Sequence, residues 1–271
     1  MTNIVCTGGH GRVGKLLAPY GIRDLGCDVT NPLEVQRSIK YFKPEIIVHL
    51  ASRSDVNWCE QKENADEAIA VNFVGAMNVV TAAEQVGCSV VLLSSDHVFS
   101  GKKWWGKYKE GDEREPLNLY GMTKVSAEGL QGAYDNLKIV RTSYLFDYSR
   151  VEYDLSRIKS NPIYCPSFIK RSFMYAPQFV QNLCDYLYRF QDMPKILHIS
   201  GSEIVSWHGF MSMVANKYGL DMSRVIARTK PDNGHAPRGH RLGLDVSLSA
   251  KLQLTQFNYL DGINQMVLDG R

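Results

Sequence analysis

The chain has 271 residues, 44% of them hydrophobic and 22% charged, with a formal net charge of +3. That length buries one large core, or a large and a small one, with no need of a disulfide staple. The small charge excess, with no block of five or more like charges, argues against nucleic acid as a partner, and no apolar stretch approaches the roughly 20 residues that span a bilayer, which argues against a membrane.

In chain order, residues 3 to 7 read as a short buried strand, followed by a glycine cluster and a helical run from Arg12 to Pro19. Gly21 to Leu25 reads as a shortened second strand. Apolar runs at Glu45 to Leu50, Ser89 to Leu93 and Lys138 to Val140 are each too short for a helix and are separated by helix-length segments. This alternation predicts right-handed βαβ crossovers and a parallel sheet covered on both faces. Residues 65 to 86 form the clearest helix, with Ala68, Asn72, Ala76, Val79 and Ala83 near one face. Beyond about residue 150 the texture changes: Pro162, Pro166 and Pro194 punctuate the chain, and helices at 176 to 190 and 205 to 218 flank a strand at Ile196 to Ile199. The expected fold is α/β, a Rossmann-like doubly wound parallel sheet with a smaller carboxy-terminal α/β substrate lobe. The expected division is 1–150 and 151–271, with the chain free to cross between the two. In open α/β sheets ligands bind beyond the carboxyl ends of the strands, where such a lobe closes a crevice.

The six cysteines (Cys6, Cys27, Cys59, Cys88, Cys165 and Cys184) form no C-x-x-C, and the seven histidines are scattered. Free thiols in a reducing cytoplasm and no metal site are expected. The glycine loop begins at Gly8, too early for a signal peptide, which adds to the expectation of a cytoplasmic protein.

Two motifs carry chemistry. Thr7-Gly8-Gly9-His10-Gly11-Arg12-Val13-Gly14 satisfies G-x-G-x-x-G between a strand and a helix. Glycine there permits a tight turn, a close approach to a pyrophosphate and helix-on-strand packing, while helix-end N–H groups hold the anion. The second motif is Tyr120-Gly121-Met122-Thr123-Lys124, preceded by Ser94-Ser95 at a strand end. Tyr and Lys four apart share a helix face, and an ammonium nearby favours the phenolate, drawing the hydroxyl toward a value useful for proton transfer. By itself Y-x-x-x-K is a common accident on solvated helices. About 110 residues downstream of a glycine fingerprint, chance is a much poorer explanation.

The succession TGGHGRVG, CDVT, VHLAS, AVNFVGAMNVVTAA, LLSSDHVFSG, PLNLYGMTK and VRTSYLF resembles the extended short-chain dehydrogenases, and within them the dTDP-4-dehydrorhamnose reductase group. The resemblance covers residues 1 to 146 and resumes at HISGSEIVSWHGF and APRGHRLGLDVS. It implies Ser95, Tyr120 and Lys124 as catalytic residues, and Gly8, Gly11, Arg12 and Val13 around the cofactor pyrophosphate. It also implies Asp28 and Val29 beside the adenine, and Ala51, Ser52 and Asn72 near the cofactor or behind it. Val56, His97, Tyr144 and Arg238 would face a nucleotide sugar, Tyr144 being equally readable as a core aromatic. The implied reaction is reduction of the C4 ketone of a nucleotide-linked 4-keto-6-deoxy sugar in dTDP-rhamnose biosynthesis. The rivals are an epimerase or dehydratase on the same scaffold, or a non-catalytic regulatory subunit resembling the methionine adenosyltransferase beta subunit. The intact Ser95, Tyr120 and Lys124 argue against the last. A homodimer is the assembly carried forward.

Two departures matter. The stretch before Asp28 is about two helical turns shorter than in the family, and Arg23 and Asp24 stand together where a dinucleotide site expects an acid for a ribose 2′-hydroxyl or an arginine for a 2′-phosphate. Arg12 and Arg23 against Asp24 favour NADPH, with NADH as the alternative. Segment 147 to 175 is also compressed, with Ser172-Phe173-Met174 where the family has Ser-Pro-Thr. Finally, Arg224, Arg228, Lys230, His235, Arg238, His240 and Arg241, with only Asp232 as an acid, form a basic stretch: a solvated face, or a diphosphate clamp centred on Arg238.

Overall fold

The structure, a computed structural model, describes residues 2–104, 106–230 and 235–270; Asp232 of the basic stretch lies outside them. In chain order the strands are β1 (Ile4–Thr7), β2 (Arg23–Asp24), β3 (Ile46–His49), β4 (Ser89–Ser95), β5 (Leu137–Thr142), β6 (Tyr144–Phe146), β7 (Ile163–Pro166), β8 (Lys170–Tyr175), β9 (Ile196–His198), β10 (Ile204–Ser206), β11 (Val225–Arg228) and β12 (Arg241–Leu242). The α-helices are α1 (Arg12–Leu17), α2 (Pro32–Phe42), α3 (Val56–Glu60), α4 (Ala65–Ile69), α5 (Gly75–Glu84), α6 (Leu119–Gly129), α7 (Tyr148–Ser160), α8 (Ala176–Tyr188), α9 (Trp207–Lys217), α10 (Ser247–Lys251) and α11 (Tyr259–Asp269).

The large sheet is parallel throughout, in the order β2-β1-β3-β4-β5-β9. Its strands read as unbroken apolar runs because both faces are covered. Ile4, Cys6, Ile46 and Val48 point into a core shared with α1 and α8, whereas Val5 and Ile47 point into one shared with α2 and α5. The strand order reverses between β1 and β3, which opens a crevice at their carboxyl ends.

The helix expected over 65 to 86 is broken in the middle. Ala70–Val74 forms a π turn between α4 and α5, one that carries Asn72. Helix α2 escaped the sequence reading, although its start is signalled: the Asn31 side chain accepts from the Leu33 and Glu34 N–H groups, and Pro32 occupies the first turn.

The smaller lobe is built on β8, which pairs with β10, β12 and β6, and on a β7–β11 pair. Its core stacks Phe173 on Phe210 at 4.5 Å between centroids, beside Phe146, Leu155, Met211 and Ile263. The chain crosses between the lobes repeatedly: β6 to β8 lie in the small one, α8 and β9 return to the large sheet, and β10 leaves again. No helix among the described residues is long and apolar enough to cross a membrane.

Candidate active site

A cavity of about 550 Å³ opens at the carboxyl ends of β1, β3, β4 and β5, roofed by the small lobe. A second depression, of about 720 Å³ and lined by Glu110, Arg114, Glu128, Arg141 and Lys195, reaches the far end of α6 through Glu128 but is lined by neither the glycine turn nor Ser95, Tyr120 or Lys124. The first cavity is therefore the one that brings the two sequence motifs together.

Its floor is the glycine turn. Gly8 has φ +70°, and a Cβ there would stand 2.8 Å from the Ala51 nitrogen; one on Gly14 would meet the Gly9 Cα at 2.5 Å. Those two glycines are required by the packing of turn, strand and helix. Gly11 differs: an added Cβ would meet only the Gly8 carbonyl, at 3.2 Å. Gly11 precedes α1, whose first turn has no side-chain cap, and Gly8, Gly11, Arg12, Val13 and Gly14 all line the cavity. Open N–H groups beneath a cradle without side chains fit a dinucleotide pyrophosphate. Thr7 couples this floor to β3: its hydroxyl oxygen accepts from the Leu50 and Ala51 N–H groups, both at 3.2 Å, and donates to His49 Nδ1 at 2.9 Å.

At the end of β2 the two candidate cofactor selectors separate, because successive strand residues face opposite ways. Asp24 lies against Gly9, its Cβ 2.5 Å from where a Gly9 Cβ would stand, with His10 Nε2 at 3.9 Å. Arg23 instead lies over the Phe42 ring, 5.1 Å from its centroid. Arg12 lines the cavity, but its guanidinium is held by Asp147 at 3.1 Å and the Leu145 carbonyl at 3.0 Å. Asp28 is exposed and accepts from the Thr30 N–H and hydroxyl, which lowers its pKa. Val29 is buried against Gly75.

Ser95 ends β4 and faces Tyr120 and Lys124 on α6, all three lining the cavity and all buried. Burial raises Tyr120 to about 12, opposed by a hydrogen bond with Ser95. Burial likewise lowers Lys124 to about 8, its ammonium lying 5.8 Å from the Tyr120 ring centroid and donating to the Leu93 carbonyl at 3.1 Å. The shift of the tyrosine is therefore set by desolvation, and what opposes it is Ser95 and Arg171 rather than the lysine expected to do so.

Two asparagines hold this arrangement. Asn118 caps α6, accepting from the Gly121 N–H at 2.9 Å, and its amide reaches His97 Nδ1 at 3.2 Å and the Pro237 carbonyl at 2.8 Å. Asn72, on the π turn, accepts from Ser52 Oγ at 2.9 Å and the Arg53 N–H at 2.7 Å, and donates to Thr123 on α6 at 3.1 Å. It stands behind the site, tying the loop after β3 to the Tyr120 helix.

The far end is cationic. Arg12, Lys124, Arg150, Arg171 and Arg238 line the cavity against one lining carboxylate, Asp55. Val56, His97, Tyr144 and Arg238 are all there, while the rest of the basic stretch is not: Arg224, for instance, donates to the Ile158 and Lys159 carbonyls at the end of α7. Sequence reasoning missed Arg150 and Arg171. They flank the Tyr144 ring at 5.6 and 5.5 Å, Arg150 Nε donating to its hydroxyl at 2.5 Å. Arg171 also pairs with the fully buried Asp96, Nη2 to Oδ1 at 2.5 Å and Nε to Oδ2 at 3.2 Å. Arg150 lies on α7 and Arg171 on β8, inside the compressed segment where no motif flags them.

A doubly wound parallel sheet with a glycine turn at its switch point and Ser, Tyr and Lys along one wall defines the extended short-chain dehydrogenase class. Residues 1–161 match the RmlD substrate binding domain, and the chain belongs to that family. It is 25% identical to the spore coat polysaccharide biosynthesis protein SpsK of Bacillus subtilis (strain 168), over 88% of this chain and 87% of that one. It is 28% identical to a dTDP-4-dehydrorhamnose reductase of Sinorhizobium fredii, over 82% and 78% of the two chains. In fold it is similar to the dTDP-4-dehydrorhamnose reductase of Bacillus anthracis str. Ames in complex with NADP, with a TM-score of 0.89, 23% identity and coverage of 99% and 100%.

Proposed function

We propose that this chain reduces the C4 ketone of a nucleotide-linked 4-keto-6-deoxy sugar, in dTDP-rhamnose biosynthesis, with NADPH as cofactor and NADH as the alternative. The observation that carries this reading is one cavity in which Ser95, Tyr120 and Lys124 stand between a glycine cradle and a cluster of arginines. The reductase name of the Sinorhizobium relative and the NADP in the Bacillus anthracis structure point the same way.

Gly8, Gly11, Arg12 and Val13 would hold the dinucleotide, with Ser52 and Lys124 farther along the same wall. When bound in reduced form, that cofactor supplies a hydride to the carbonyl carbon. Tyr120, kept protonated at neutral pH by a pKa near 12, gives its proton to the carbonyl oxygen. Ser95, whose hydroxyl donates to Asp96 Oδ1 at 3.2 Å, would turn to donate to the same oxygen, and Lys124, at about 8 and largely an ammonium at pH 7, supplies positive charge beside the tyrosine. Arg238, with Arg150 and Tyr144, would receive the diphosphate of the sugar nucleotide, since Arg12 and Arg171 are already paired with Asp147 and Asp96.

A dehydratase needs a free acid after the serine. Both oxygens of Asp96 are engaged, by Arg171 and by the Ser143 hydroxyl, which disfavours that rival. The test is incubation with NADPH and a dTDP-linked 4-keto-6-deoxy sugar while cofactor absorbance is followed. Stoichiometric loss of NADPH is expected. Sugar interconversion without that loss would identify an epimerase, and no conversion at all would leave a binding protein.

A further inference from the structure

The amide of Asn118 can be oriented in one way only. Its Oδ1 accepts from the Gly121 N–H at 2.9 Å, and its Nδ2 faces the Pro237 carbonyl at 2.8 Å. Reversing it would set NH₂ against N–H and oxygen against oxygen. The second Nδ2 hydrogen then points at His97 Nδ1, 3.2 Å away, so Nδ1 is an acceptor and bears no proton. His97 is buried, and Arg171 and Arg238 add to the desolvation that keeps it neutral, so its one ring proton sits on Nε2.

Nε2 faces Arg171 Nη1 at 3.4 Å. An arginine nitrogen only donates. Two donors therefore confront each other across a gap that calls for an acceptor. Asp96 is not that acceptor, since it takes Nε and Nη2 of the same guanidinium, and it also cancels the charge of Arg171. What fits is a neutral oxygen. The His97 ring lies edge to face with Tyr120 at 5.6 Å, two residues after Ser95, which sets this gap beside the catalytic wall.

We propose that Arg171 Nη1 and His97 Nε2 form a two-donor fork that binds the hydroxyl on the sugar carbon next to the reacting carbonyl, making Arg171 a specificity-determining residue. This rests on the reductase reading above. In a 4-keto-6-deoxy sugar C5 carries a methyl group and the ring oxygen, so the free hydroxyl beside C4 is the one on C3. The Asp96 pair fixes the guanidinium before substrate arrives, so little ordering is required on binding.

The test compares a dTDP-4-keto-6-deoxy sugar with its 3-deoxy analogue. The wild type should favour the 3-hydroxyl compound by about 10- to 100-fold in kcat/KM, the effect of a hydrogen bond to a charged donor. His97→Phe should lose most of that on the hydroxylated substrate and change turnover of the analogue by less than about threefold. Arg171→Lys, which keeps a cation for Asp96 but withdraws Nη1, should give the same pattern if the phenylalanine variant folds poorly. Equal losses on both substrates, or a wild type that does not discriminate, would overturn the fork. Its geometry is read independently of turnover by ¹⁵N NMR of labelled histidine at neutral pH, with the His97 signal assigned by its loss in the variant. Protonated Nε2 and bare Nδ1 are expected, and the reverse tautomer overturns the proposal. A wild type inert to both sugars would instead overturn the reductase reading, while the tautomer still decides the fork.

Discussion

Tyr120 and Lys124 share a face of α6, yet burial shifts them in opposite senses, the hydroxyl up to about 12 and the ammonium down to about 8. Each is pushed toward its neutral form. A tyrosine so placed gives up a proton only to a developing alkoxide, which is what a ketone reductase requires of its acid. Tyr120→Phe removes the hydroxyl and keeps the ring. Its expected effect is a fall in kcat of about 10² to 10⁴ with cofactor affinity within twofold of wild type, measured by steady-state kinetics and NADPH titration. Turnover within twofold of wild type would reassign the proton donor. At the other end of the cavity, Arg238 has Arg171 nearby, its guanidinium donates to the Ala236 carbonyl at 3.1 Å, and no carboxylate is paired with it among the described residues. Losing one charge-assisted contact to a phosphate should weaken dTDP binding by roughly 10- to 100-fold. Calorimetry on Arg238→Ala checks this, with NADPH binding as the internal control. Unaltered dTDP binding would move the diphosphate contact to Arg150.

Among the elements, α6 is the one on which the site depends most closely. A Cβ on Gly121 would come within 2.3 Å of the His97 carbonyl oxygen, so the start of α6 is pressed directly onto the loop after β4. Gly121→Ala must push the two apart. Overpacking of this kind costs about 1 to 3 kcal/mol, and at about 2 to 4 °C per kcal/mol the midpoint of thermal unfolding should fall by several degrees, with kcat falling too as Tyr120 moves from Ser95. An unchanged melting temperature would show that the contact yields freely. How much of this was legible in the sequence depends on distance along the chain. β1, β3, β4 and β5 were visible because strands buried on both faces leave apolar runs, and Tyr120 with Lys124 because four residues make one helical turn. The π turn was not, since its extra residue leaves the composition of 65 to 86 unchanged. Helix α7 did carry a signal, Val151, Leu155 and Ile158 on one buried face behind the Asp147 cap, but polar neighbours masked it. Arg171 carried none. Its meaning comes from Asp96, 75 residues away, and no local pattern encodes such a pairing.

At the level of the whole molecule, three buried histidines link the fold to pH. His49 accepts from Thr7, and burial brings it to about 3, as it does His97. His198 donates through Nδ1 to the Asp245 carbonyl at 3.1 Å, which leaves Nε2 to accept from Arg141 at 3.4 Å, and it falls to about 4. All three folded values lie below the unfolded value of about 6.5, so between the two the unfolded chain binds more protons. The stability associated with neutral histidine is complete above about pH 6.5 and is lost as pH falls toward about 4 for His198 and about 3 for His49 and His97. Glu110, raised by burial beside His198, works in the opposite sense and offsets a part of this. At pH 5 each histidine forfeits about 2 kcal/mol, and three together reach about 6 kcal/mol, the same order as the whole stability of a domain. The urea midpoint should therefore drop steeply from pH 7 to pH 5 and stay nearly flat from pH 7 to pH 8. A midpoint equal at pH 5 and pH 7 would mean that these rings are solvated in the folded chain, and the tautomers assigned to His97 and His198 would go with it.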